Sequence, residues 1–235
     1  MDAFDGMTLL QFARGPVMAF ASFVFVAGIL WRLVGIALLR HRRPLSPARK
    51  PHAWTGIRLI IFRSLPKPAF FRGGTAYGEV IGYIFHIGFF VALFFYLPHI
   101  LFFRDVFSGL FGINMKSTGG FAWPALPGGV IYFFSAVSVA AMLGSAVHRF
   151  VNGPKRVLSN FDDYVSWLVT FLPLATGMLA YSHVGGPYQT LLGLHILSIA
   201  LLLIWFPFGK LMHFFYFFTT RGAEGVQFER KGASL

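Results

Sequence analysis

The 235-residue chain carries eight histidines and no cysteine. Without thiols there are no disulfides, no iron–sulfur clusters, no thiolate zinc sites and no covalently attached c-type haem. Imidazole is therefore the side chain with which this sequence would hold a metal. His86, His99, His195 and His213 all lie in apolar surroundings. An ionisable group in hydrocarbon is costly, so each is a functional candidate. One such histidine is equally well read as a helix–helix hydrogen bond. Four on two helices ask for more, and two imidazoles from facing helices on opposite sides of one macrocycle make a bis-histidine b haem.

The elements that must carry these rings are membrane spans. Hydrophobic residues make up 56% of the chain and charged residues only 12%, with 30 Phe, against about a quarter charged in soluble domains. Five stretches reach the roughly 20 apolar residues that cross a bilayer: about 16–39, 77–103, 125–147, 161–182 and 189–218. The expected fold is an all-α membrane protein, a single domain over 1–235 built as a five-helix bundle. Pro207 should bend the last span locally. Residues 1–15 carry Asp2 and Asp5 and no basic leader, so no cleavable signal is expected.

Sixteen of the 20 basic residues fall in the loop 40–76, the short loop after span three, and the region from Lys210 to the end. Basic residues gather on the cytoplasmic side. The N-terminus is thus expected outside and the C-terminus inside, with a basic cytoplasmic loop at 40–76, an outer loop at 104–124 and a cytoplasmic tail at 219–235. The same distribution accounts for the net charge of +12 without nucleic acid. Within the basic loop, Trp54 to Phe62 is too short to cross and reads as an interfacial helix on lipid, or as a docking surface for a cytoplasmic partner.

Depth sorts the four histidines into two levels. Span two runs outward and span five inward, so His86 and His213 form an inner pair, and His99 and His195 an outer pair. His195 and His213 are 18 residues apart, five whole turns and about 27 Å on an ideal helix, so they share a face. His86 and His99 are 13 residues apart, about 20 Å and about 140° out of phase. Pro98, just before His99, is the residue that would re-aim that ring.

The stretch Gly193-Leu-His195-Ile, continuing to Phe206-Pro207-Phe208-Gly209-Lys210-Leu-Met-His213, resembles the last helix of the gamma subunit of respiratory nitrate reductase. Phe85-His86-Ile-Gly88 resembles the second-helix motif of that family. Pro154-Lys-Arg-Val-Leu-Ser159, followed by Asp163-Tyr164, resembles its inner loop leading into helix four. The likeness runs from about 77 to 218. It implies five spans, an outside N-terminus, and two b haems, the inner on His86 and His213 and the outer on His195. The family places the fourth ligand ten residues after the first, where this chain has Tyr96. His99 is the nearest histidine, and its wider spacing after a proline looks more like the related haem subunits of sulfite-reductase-linked and heterodisulfide-reductase-like membrane complexes. Tyr96 as ligand, or a single haem, stays open.

Other residues are secondary candidates. Arg32, inside span one, would either snorkel to the interface or pair with a haem propionate. His148, at the inner end of span three, would touch a headgroup or a propionate. The resemblance puts a quinone site near the outer haem, where His99, His183, Arg104, Asp105 and Lys116 are candidates. His41 and His52 read as solvated. No catalytic residue is assigned. The expected role is an electron-transfer subunit of a respiratory oxidoreductase in the cytoplasmic membrane. It would link quinone or quinol to a cytoplasmic iron–sulfur subunit, with the terminal catalytic site in another partner. The alternatives are a structural anchor with one haem or none, and a haem-free proton-coupled transporter.

Overall fold

The computed structural model describes residues 8–39, 53–62, 73–111 and 123–232. Among these residues every regular element is a helix. In chain order they are α1 (Leu9–Ala37), α2 (Ala53–Phe62), α3 (Ala76–Phe95), α4 (Leu97–Phe111), α5 (Gly128–Val151), α6 (Gly153–Leu158), α7 (Phe161–Ser182), α8 (Tyr188–Trp205) and, after a 3-10 turn at Lys210–Met212, α9 (His213–Arg230). Five of them, α1, α3, α5, α7 and α8, are long and apolar enough to cross a membrane.

The spans run up and down with neighbours antiparallel. At one end Tyr77 of α3 donates to the Gly144 carbonyl of α5; at the other, Tyr132 of α5 lies against Tyr181 of α7. α3 packs on α5, α5 on α7, α7 on α8 and α8 on α1, while α2 lies along α9. Small residues let these backbones approach, as membrane packing requires. A Cβ on Gly88 would overlap the Ser138 side chain and the Phe134 carbonyl of α5, and Ser138 Oγ donates to the Phe85 carbonyl at 3.2 Å. Trp167 of α7 donates to the Met142 carbonyl of α5 at 3.0 Å. Large apolar side chains remain outside, Phe23 being 70% and Trp31 64% exposed, as suits a surface bathed by lipid.

The structure corrects several sequence-based boundaries. α1 starts at Leu9 rather than 16, because Thr8 and Gln11 form a capping box that supplies the first orphan N–H groups. Pro16 is then absorbed in a π turn at Ala13–Val17, a bulge that accommodates the missing N–H. The expected span 77–103 is two helices that break at Tyr96, which is extended at φ −84°, ψ 124°. The span 189–218 is also interrupted: α8 stops at Trp205 and the chain turns through Pro207 before α9. The supposed outer loop is helical as far as Phe111, and the supposed tail is helical as far as Arg230, where α9 rests on α2. Lys116, His41 and His52 lie outside the described residues.

Candidate functional site

α3 faces the start of α9, and α4 faces α8, through imidazoles. The His86 and His213 ring centroids are 6.1 Å apart at an interplanar angle of 89°; those of His99 and His195 are 6.2 Å apart at 21°. The first pair lies towards the end that carries Arg149, Lys155 and Lys210, the second towards the end that carries Tyr181.

Each ring is held by its Nδ1. His86 Nδ1 is 2.7 Å from the Gly82 carbonyl, His99 Nδ1 is 2.9 Å from the Ala92 carbonyl, and His213 Nδ1 is 2.8 Å from the Lys210 carbonyl. A carbonyl only accepts, so Nδ1 carries the hydrogen, and in the neutral ring Nε2 keeps its lone pair. His195 Nδ1 lies 3.3 Å from Thr176 Oγ1, whose own hydrogen goes to the Leu172 carbonyl at 2.7 Å. Thr176 therefore accepts from His195, and the outcome is the same. All four rings present Nε2 as a free donor to a metal.

His99 reaches His195 because the span breaks. Pro98 has no N–H to give to the Phe94 carbonyl four residues back, and the extended Tyr96 takes the following residues off the α3 axis. Three of the carbonyls freed at the end of α3 find new donors. Ala92 accepts from the His99 ring, Phe94 from the Trp123 indole, and Phe95 from the Leu126 N–H at 2.9 Å. The break thus ties His99 to the preceding helix through its own ring, and the phase mismatch of a continuous helix disappears.

His213 is placed by the second break, and the five-turn phase argument for span five lapses with it. Pro207 cannot continue α8, and the freed carbonyls of Pro207 and Phe208 accept from Arg32 of α1 at 3.0 and 3.4 Å. Gly28 leaves room for this turn: a Cβ there would lie 2.6 Å from the Pro207 ring. Asp162 of α7 then takes the Lys210 backbone N–H with both carboxylate oxygens, at 3.2 and 3.1 Å, and Asp163 takes Lys210 Nζ at 2.6 Å. The Lys210 carbonyl, fixed on both sides, orients His213. Arg149 joins at 3.2 Å from Asp163.

The remaining candidates have other partners. Arg32 serves the Pro207 turn rather than snorkelling. The His148 ring lies against Tyr77 at 4.4 Å, and its Nδ1 is 3.1 Å from Lys155 Nζ. His183 is the left-handed cap of α7 at φ 56° and lies against Tyr188 at 5.1 Å. Arg104 is paired with Asp105 at 3.0 Å. Tyr96 sits edge-on to His99 at 5.2 Å and near Tyr181 at 6.1 Å, beside the histidine pair rather than in it. Thr176 and Gly177 are the residues that sequence reasoning missed. A Cβ on Gly177 would meet His195 Cε1 at 3.0 Å. Among the described residues no three or more of His, Cys, Asp and Glu gather around a point that could hold a bare ion.

The chain is similar to a protein of Nitratidesulfovibrio vulgaris, 29% identical over 232 residues that cover 96% of this chain and 97% of the relative. The description of that relative names no activity. No family model and no solved structure matches.

Proposed function

We propose that this chain is a di-haem b membrane subunit of a respiratory oxidoreductase, carrying electrons between quinone and a cytoplasmic iron–sulfur subunit. The observation that carries the reading is the pair of facing imidazole couples, every ring anchored by Nδ1 with Nε2 left to bind. An imidazole nitrogen sits about 2.0–2.1 Å from a bound first-row metal, and the ring centroid roughly 1.2 Å behind it, so two rings on opposite sides of one ion have centroids roughly 6.5 Å apart. The separations of 6.1 and 6.2 Å come within about half an ångström of it. Two ligands are too few for a bare protein-held zinc but are the full axial complement of a haem.

When bound, each haem supplies a one-electron redox couple. The chain supplies the axial nitrogens, fixes ring tautomer and orientation through second-shell acceptors, and wraps the route in apolar side chains. With the basic end taken as cytoplasmic by the positive-inside rule, His86 and His213 serve the inner haem, His99 and His195 the outer. The iron–sulfur partner then docks on the basic inner face, and quinone meets the outer end, where His183, Arg104 and Lys116 are candidate contacts. The membrane is the cytoplasmic one.

The test is an absorption spectrum of the purified chain, oxidised and then reduced with dithionite. Two b haems per chain are expected. His213→Ala and His195→Ala should each remove about one equivalent. A colourless protein made with ample haem supply, or unchanged haem in both variants, would sink the reading.

A further inference from the structure

The residues first considered for haem carboxylates, Arg32 and His148, hold the Pro207 turn and a tyrosine–lysine contact instead. An open cavity of about 480 Å³ does border His213, lined by Lys210, Tyr216, Thr220, Arg221 and Glu224 among others. The lining residues of α9 recur every three or four positions, so they form one stripe of that helix. Two cations face the cavity. Lys210 is committed to the part-buried Asp163 at 2.6 Å, and its backbone positions His213. Arg221 pairs with Glu224 at 3.2 Å, an exposed pair three residues apart on its own helix, and such pairs exchange partners at little cost. Arg221 lies eight residues after His213, just over two turns or about 12 Å along α9. A guanidinium at the mouth of an apolar cavity is suited to bidentate recognition of a carboxylate.

We propose that Arg221 binds the propionate carboxylates of the haem held by His86 and His213, in exchange for Glu224. This assignment rests on the di-haem reading above. Arg221 is a positioning and charge-balancing residue with no part in iron ligation. It offsets the negative charge of the propionates, which otherwise favours the more positive ferric state. Arg221→Gln should therefore leave two haems per chain and lower the potential of the haem that His213→Ala removes. Glu224→Gln, which frees Arg221, should raise it. The expected size is about tenfold in the reduced-to-oxidised ratio at a set potential, or about 59 mV for a one-electron couple.

The deciding comparison uses haem dimethyl ester, which has no propionate charge, reconstituted into wild type and Arg221→Gln. The difference between the two proteins should shrink with the diester, because Arg221 then stays with Glu224 rather than beside the haem. If it persists at full size, Arg221 does not engage the propionates and the assignment fails. It also fails if both variants leave the potential unmoved with two haems bound. A wild-type chain that binds no haem refutes the functional reading itself.

Discussion

An imidazole tied at Nδ1 has one nitrogen left and one direction in which to offer it. Three of the four rings are tied to backbone carbonyls, which mutation cannot remove directly. His195 differs in that it also has a side-chain partner, Thr176. Thr176→Val keeps the shape and deletes the acceptor. Loss of such a partner typically weakens metal retention about 10–100-fold. The His195 haem should therefore be lost first when the purified variant is diluted or competed with apomyoglobin, while the His213 haem stays. Gly177→Val should act on the same ring by crowding, since even a Cβ there reaches 3.0 Å from His195 Cε1. Reduced-minus-oxidised spectra of this variant should show the outer haem depleted to well under half. Full occupancy of both haems in both variants would mean that neither residue governs the ring.

At the scale of elements, two interrupted helices set the site. The α3–α4 break redirects His99, and the α8–α9 break redirects His213; at each break some freed carbonyls are matched by donors from distant segments. Pro98→Ala restores an N–H able to pair with the Phe94 carbonyl and removes the bias against a continuous helix. The expected result is loss of the outer haem with the inner retained. Asp162→Ala removes the acceptor of the Lys210 N–H, a capping interaction worth about 1 kcal/mol. It should selectively loosen the inner haem, seen as faster haem transfer. Gly28→Leu would press on Pro207, where a Cβ already lies at 2.6 Å, and should lower thermal stability in detergent by several degrees.

For the whole molecule the open question of direction has a clean assay, because the chain has no cysteine. Val184 lies just past α7, and Ala223 on α9 at the basic end. A membrane-impermeant maleimide applied to spheroplasts should label Val184→Cys and spare Ala223→Cys, which should react only after lysis. The reverse pattern would invert the proposed orientation and move the proposed quinone contacts to the other face. At the same scale, α2 and α9 form a layer outside the bundle. They cross closely at Gly56, where a Cβ would meet the Gly222 carbonyl at 2.8 Å, and α2 leaves Trp54 69% exposed.

Apolar run length determined the five spans, because a bilayer requires about 20 such residues however they pack; α7 spans the same residues, 161–182, that hydropathy marks. The same local rule made the four histidines in apolar surroundings stand out and sorted them by depth. What only the tertiary structure decided was how the rings come together. Continuous helices left His99 out of phase with His86 and put His195 and His213 on one face, whereas both pairings come from breaks at Tyr96 and Pro207. A proline announces that a carbonyl will be freed, but not which residue will satisfy it. Trp123, Leu126 and Arg32 do so from 29, 31 and 175 positions away, and contacts at that separation leave no periodicity in a single sequence. Thr176 and Gly177 went unread for the same reason: each matters only through a neighbour that the fold brings to it.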